Sequence, residues 1–198
     1  MQILRKASFT ATPWKNGGGI THEVIRVPAG DGVFRWRVSV AQIDVSGPFS
    51  DFTGYRRTMV LLRGRGVRLT FDGAPPTSLT DVGDLAEFDG ALKTDCCLVD
   101  GPCTDLNLMV AKSVGRVGAS VERLREPRVL PALRNGVSLV FGISGGLAVE
   151  CAAGRAQLEP WDLAILPSGG PDGPDGTAVV TADASSLVFL ATLDDNST

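Results

Sequence analysis

The chain has 198 residues, with 19 Lys and Arg against 22 Asp and Glu and a formal net charge of −3. A compact chain of this length buries roughly 70% of the surface that its unfolded form exposes, so it needs no disulfide framework or structural metal to hold it. The mild acidity gives no electrostatic case for nucleic acid or an anionic membrane as partner, and leaves small molecules or proteins.

In chain order, "MQILRKASFT" has no long apolar core followed by a small-residue cleavage site. No stretch approaches the ~20 apolar residues of a spanning helix. A soluble, cytoplasmic protein is expected. Then comes "PWKNGGGITHEV", residues 13–24, where Trp14, Lys15 and Asn16 precede Gly17, Gly18 and Gly19. Three glycines in a row cost conformational entropy and suit a tight hairpin entry, a close approach to a ligand, or both. Strands are predicted at "THEVIRV", "VFRWRVSVAQI", "RTMVLLRG", "VRLTF", "DLAEF", "DLNLMVA", "VSLVFGI", "LAVEC", "DLAIL", "AVVTA" and "SLVFLATL", with Gly, Pro, Asp and Asn between them. The fold class is all-β. The best helix candidate, "SVERLREPRVLPALRN", is broken by Pro127 and Pro131, leaving a short turn or two within an Arg-bearing linker from about Ser113 to Asn135. The Pro- and Gly-rich "PSGGPDGPDGT" reads as a flexible connector.

Two segments share an order of elements. "VLLRGRGVRLTFDG" from Val60 parallels "VFGISGGLAVECAAG" from Val140, an offset of 140 − 60 = 80. Downstream, Asp84 of "GDLAEFDG" matches Asp162 of "WDLAILPSG", an offset of 162 − 84 = 78. Strand, Gly-rich turn, strand, then an Asp before an apolar strand resembles the small-barrel repeat of cupins, present twice.

Familiar cupin chemistry gathers two or three histidines and a glutamate on a transition metal. This chain has one histidine. On a strand His22 lies with Ile20 and Val24, while Thr21 and Glu23 lie with Ile25, so His22 and Glu23 do not converge on one ion. No metal site is expected. "NGGGI" lacks G-K-[ST] and runs into a strand, which excludes a phosphate loop. Cys96, Cys97, Cys103 and Cys151 form no C-x-x-C pair; the adjacent Cys96 and Cys97 read as ordinary reduced cysteines or as a redox pair.

Strand alternation leaves two surfaces open to either of two readings. In "FRWRVSVAQI", Phe34, Trp36, Val38 and Val40 form an apolar face. Arg35, Arg37, Ser39 and Ala41 form the other, which is either a solvent surface or a pocket wall where Arg37 binds an anion and Ser39 leaves room for it. In "DLNLMVA", Asp105, Asn107 and Met109 share a face that is either exterior or lumen.

"PWKNGGGITHEV", "FRWRVSVAQIDVSGPFSDFTGYRR", "FDG" and "TDLNLMV" occur in one order over most of the first 110 residues. Together they resemble the HutD/Ves family. The resemblance implies a bicupin, two small barrels packed together, with residues 1–112 in the first and 113–198 in the second, strand exchange between them being permitted. It further implies a role in bacterial histidine utilisation, binding a pathway intermediate with no catalytic residues and no cofactor. The family blocks pick out Trp14 to Gly19, Thr21, Glu23, Trp36, Arg37, Ser39, Gly47 to Ser50, Gly54, Asp105, Asn107 and Met109, and of these the ligand is expected in the first barrel at Trp14, Lys15, Asn16, Gly17, Gly18, Thr21, Glu23, Arg37, Ser39, Phe49 and Asn107. In that reading Lys15 and Arg37 engage a carboxylate, while Asn16, Asn107 and Glu23 read an amide, formyl, formimino or imidazole group. Trp14 and Phe49 wall the pocket. Where relatives commonly carry an arginine after "DLNLM", this chain has Lys112, which lacks the planar fork. Two other readings stand beside this one: a metal-independent isomerase or hydrolase with Glu23 as base and Lys15 as electrophile, and a protein-interaction module or homodimer.

Overall fold

The computed structural model describes residues 1–30, 32–131, 133–167, 177–182 and 185–194. The loop expected as a connector lies, apart from its first and last residues, outside them. Among the described residues the chain divides into two units: a first unit, Phe9–Ser113, and a second made of Met1–Ser8 with Val114–Thr198. The opening residues thus belong to the second unit, and not to the first barrel where the sequence reading puts them. Their short strand β1 (Gln2–Leu4) and a 3-10 turn at Lys6–Ser8 are followed by the ten strands of the first unit.

These are β2 (Thr10–Pro13), β3 (Gly19–Gly30), β4 (Val33–Ile43), β5 (Gly47–Pro48), β6 (Tyr55–Arg63), β7 (Val67–Phe71), β8 (Ala74–Leu79), β9 (Leu85–Asp89), β10 (Thr94–Leu98) and β11 (Cys103–Ala111). They build a six-stranded sheet ordered β2-β3-β4-β11-β6-β9 and a four-stranded sheet ordered β5-β10-β7-β8. The second unit contributes β12 (Arg116–Leu124), β13 (Arg128–Leu130), β14 (Gly136–Ser144), β15 (Leu147–Cys151), β16 (Gly154–Leu158), β17 (Leu163–Pro167), β18 (Ala178–Ala182) and β19 (Ser186–Asp194). Its sheets run β1-β17-β14-β19-β12 and β13-β18-β15-β16. All the pairings are antiparallel, as hairpin-rich all-β chains require.

In place of the short turn or two expected around Ser120 there are strands. Ser120 to Leu124 pair with β19, and Arg128 to Leu130 pair with β18. Helix-forming Glu, Arg and Leu side chains yield here to a neighbouring strand that satisfies the backbone and buries Leu124 and Leu130. The Arg-bearing segment is therefore two edge strands, and not a linker.

The internal repeat is visible in the backbone. Leu61 donates to Asp84 O and accepts from Gly83 N; Gly142 does the same with Asp162 O and Trp161 N. β6 thus matches β14 at an offset of 142 − 61 = 81, which puts Val60 on Phe141 rather than on Val140. The sequence alignment slips by one because the hairpin after β14 is one residue shorter than that after β6. Asp105 pairs with Leu61 where Val188 pairs with Gly142, so β11 matches β19. Continuing along both ladders, Asn107 corresponds to Leu190 and Arg57 to Ser138.

The units fill their interiors differently. In the second, Val140, Leu147, Val149, Leu158, Val180, Val188 and Leu190 form one aliphatic cluster. The first packs Ile43, Met59, Leu61, Val67, Leu69 and Leu79 toward one end, and a separate group of Phe34, Tyr55 and Met109 lies elsewhere. Phe34 and Tyr55 stack at 4.2 Å between ring centroids. The buried side chains of Arg57, Asp105 and Asn107 share this interior.

Candidate functional site: a polar cavity in the first unit

The turn from β2 to β3 forms the rim. Trp14 N donates to Gly19 O at 2.9 Å and Gly17 N to Trp14 O at 3.0 Å, closing a tight hairpin entry. Gly17 takes a φ of +71°, and a Cβ on Gly19 would overlap the carbonyl of Gln42. At Gly17 and Gly19 the glycines are therefore required by the backbone. Asn16 Oδ1 accepts from Gly18 N at 3.0 Å, and Trp14 Nε1 donates to Thr21 Oγ1 at 2.7 Å, which fixes the indole against the strand.

Behind this rim lies a cavity of about 560 Å³. Of the eleven residues expected at the site, eight line it: Trp14, Lys15, Asn16, Thr21, Arg37, Ser39, Phe49 and Asn107. Both ambiguous strand faces, Arg37-Ser39-Ala41 on β4 and Asp105-Asn107-Met109 on β11, turn toward this cavity. Register brings them together, since Asn107 pairs with Ser39 and Met109 with Arg37.

Three expected residues do not line the cavity. Gly17 and Gly18 serve the turn. Glu23 accepts from Arg37 Nε at 2.8 Å and lies 3.4 Å from Arg26 Nε. Thr21 and Glu23 stay in unbroken register with Ala41 and Ser39, the bulge coming only after Glu23, and it is the ion pair with Arg37 that takes up the Glu23 carboxylate. Lys112 does not replace a ligand arginine: it bonds Asp89 at 2.5 Å and is absent from the lining.

Arg57, which the sequence reading does not pick out, and Asp105, which stands in the family blocks but not among the eleven expected ligand contacts, form the polar centre. Arg57 is 5% exposed, with its guanidinium 4.8 Å from the Phe88 ring centroid, 5.0 Å from Phe49 and 5.4 Å from Phe52. Aromatic faces offset part of the cost of burying a cation. Burial still lowers its pKa to about 10, against the opposing pull of Asp105. Its Nη2 donates to Asn107 Oδ1 at 2.9 Å, and Asn107 Nδ2 donates to Asp105 Oδ2. Because a guanidinium only donates, this chain of bonds has one direction, from Arg57 through Asn107 to Asp105. Asp105 is 0% exposed, and burial raises its pKa to about 7 even with Arg57 acting to lower it.

Both ends of the chain keep an unused atom. Arg57 Nε and Asp105 Oδ1 are buried without a hydrogen-bond partner. Each belongs to a residue that borders the cavity, and a buried polar atom without a partner calls for one.

Nearby, Cys96 and Cys103 are buried, and desolvation pushes each thiol up to about 12. Cys96 is therefore a neutral, unreactive thiol, while Cys97 on the opposite strand face is exposed. Among the described residues no three His, Cys, Asp or Glu side chains converge in a way that could hold a metal, and no helix is long and apolar enough to cross a membrane.

The family model described as HutD matches residues 6–187. An uncharacterized 21.2 kDa protein in the hutC 3' region of Pseudomonas putida is 42% identical over 113 residues, covering 56% of this chain and 58% of its own length. Protein Ves of Citrobacter koseri is 43% identical over 133 residues, 67% of each chain. The chain thus spans somewhat over half the length of the first of these relatives and two thirds of the second. Among solved structures, a conserved protein of unknown function from Pseudomonas aeruginosa PAO1 superposes with a TM-score of 0.85 at 31% identity, over 99% of both chains. HutD from Pseudomonas fluorescens SBW25, in a formate condition, gives 0.78 at 27% identity over 97% of both. A cupin 2 conserved barrel domain protein from Leptotrichia buccalis gives 0.58 at 11% identity, over 98% of this chain and 96% of that one, a likeness of fold alone. With its cupin-type strands and a family match over nearly its whole length, the chain belongs to the HutD family.

Proposed function

We propose that the first unit binds a small carboxylic acid in its cavity and that the protein is a ligand-binding, non-catalytic member of its family. The observation that carries this reading is the buried guanidinium of Arg57, a lining residue whose Nε is unpartnered. A buried donor left unmatched costs on the order of 1 to 3 kcal/mol, and an anion removes that cost while gaining a charge-assisted bond. Arg37 and Lys15 on the same lining add positive potential.

A similar protein supports the choice of acid: one relative lies in a hutC 3' region, which suggests histidine breakdown. Formylglutamate, formiminoglutamate and urocanate are the candidates, and sensing one of them would give the protein a regulatory role. The enzyme alternative asks Glu23 to act as a base at the cavity, but that carboxylate is held by Arg37 and Arg26.

Calorimetric titration of metal-stripped protein with these three acids and with histidine, followed by product analysis of the same mixtures, tests the reading. Saturable binding without turnover is expected, weakened roughly ten- to a hundredfold in Arg57→Leu. Turnover, or an Arg57→Leu protein that binds as tightly as wild type, contradicts it.

A further inference from the structure

We infer that Asp105 selects ligands that present an N–H donor beside their carboxylate, so that the cavity distinguishes an acylamino or amino acid from a plain carboxylic acid. This rests on the small-acid reading above and adds a second, independent point of recognition to it.

The polar chain runs in one direction only. Arg57 can only donate, so Asn107 must accept with Oδ1 and turn Nδ2 toward Asp105. Asp105 Oδ2 is thereby committed as an acceptor. Its other oxygen, Oδ1, is fully buried and has no partner, on a residue that borders the cavity. In the ionised state that oxygen can only accept, so the group that satisfies it must carry a hydrogen. At the other end of the chain Arg57 Nε can only donate and calls for an acceptor. One molecule that satisfies both orphan atoms carries an anionic acceptor and a donor, with the Asn107 amide setting their separation.

The second unit supports a recognition role over a packing one. At the matching ladder positions it holds Ser138, Val188 and Leu190, and its interior closes as an aliphatic cluster. The fold therefore does not need a carboxylate at this place.

Proton linkage gives the inference a signature of its own. Burial holds the Asp105 pKa at about 7, and Arg57 on β6 opposes that rise. Arg37 on β4 and Lys15 at the rim are the other cations on the lining. Cys96 on β10 and Cys103 on β11 are neutral thiols at this pH, and Glu23 on β3 is engaged with Arg37. Asp105 is thus the group on this lining that changes charge near neutrality. A donor-bearing ligand binds its ionised form and releases the proton, so affinity rises with pH and levels off above 7.

The test uses two pairs of ligands in which a methylene replaces the N–H: N-acetylglycine against levulinate, and N-acetylglutamate against 2-(2-oxopropyl)pentanedioate. Calorimetry on the full chain at pH 6 and pH 8 reads both effects. At pH 8 the N–H member of at least one pair is expected to bind about tenfold tighter or more. Its affinity falls roughly tenfold at pH 6, as one proton on a group of pKa near 7 requires. In Asp105→Asn, where Asn107 fixes the new carbonyl and an amide N–H stands in place of the acceptor oxygen, the preference and the pH dependence are both lost. Equal affinities within both pairs, with binding still dependent on Arg57, overturn the role of Asp105 and leave the carboxylate site standing. A preference that survives Asp105→Asn overturns that role in the same way. Binding by none of the four at either pH removes both.

Discussion

The two units share a ladder register and a turn, yet one has a polar interior around a cavity and the other is filled with aliphatic side chains. Where Arg57, Asp105 and Asn107 stand in the first, the second has Ser138, Val188 and Leu190. The same backbone therefore accepts either solution, and the charged one is the costlier. Buried ion pairs replaced by apolar groups of similar size are often neutral or stabilising, so stability alone gives no reason to keep the polar set. The asymmetry is what the binding role proposed for the first unit requires.

The largest effect is expected from severing the chain at its middle. Asn107→Leu leaves a buried cation and a buried carboxylate without their bridge and should cost about 3 to 5 kcal/mol in urea or guanidinium unfolding. Carrying over the whole second-unit set, as Arg57→Ser with Asp105→Val and Asn107→Leu, should restore stability to within about 1 kcal/mol of wild type or above it while abolishing acid binding. A triple variant less stable than Asn107→Leu alone would show that the first unit cannot accept the second unit's interior.

Asp105 also sets a pH dependence. Its pKa is about 7 in the fold against 3.8 for an ordinary aspartate, so between these values the folded state holds a proton that the unfolded chain has lost. Stability of the ligand-free protein should therefore fall as pH rises from about 4 to 7, with that loss complete above 7. Asp105→Asn should flatten this part of the profile, and an unchanged slope in thermal unfolding would assign it elsewhere.

A smaller effect separates the two turns. Gly83 has a φ of +100°, and its counterpart Trp161 a φ of +75°, with Lys6 Nζ 4.0 Å from its ring centroid. The left-handed region costs a side chain roughly 1 to 2 kcal/mol. Trp161→Gly should therefore be about 1 kcal/mol more stable than Trp161→Ala, since both lose the cation contact and only glycine relieves the backbone.

Apolar, β-branched runs bounded by turn residues make much of the fold legible from sequence: β4, β7, β15 and β18 begin and end where their patterns do. β8 escapes such a reading because Pro75 and Pro76 look like breakers, although an edge strand tolerates them. β12 and β13 are hidden by side chains that favour helices in isolation. At the site, the Trp14 to Asn16 turn and the faces of β4 and β11 can be read as far as two alternatives, and only sheet pairing decides between them. Arg57 offers no usable phase. Tyr55, Met59 and Leu61 on its side of β6 are buried, and so are Thr58, Val60 and Leu62 on the other, so alternation does not show which arginine points inward. Asp105 stands within the recognisable "TDLNLMV" block, but its importance comes from complete burial and an orphan oxygen, which no spacing reveals.

The guanidinium of Arg57 can be watched during binding. In nitrogen-labelled protein titrated with formylglutamate at pH 8, its Nε–H resonance should shift downfield and saturate with the calorimetric binding curve, as a new charge-assisted hydrogen bond requires. If ligand binds and that resonance stays where it was, the acid does not sit on Arg57 and the first unit's polar centre is not its site.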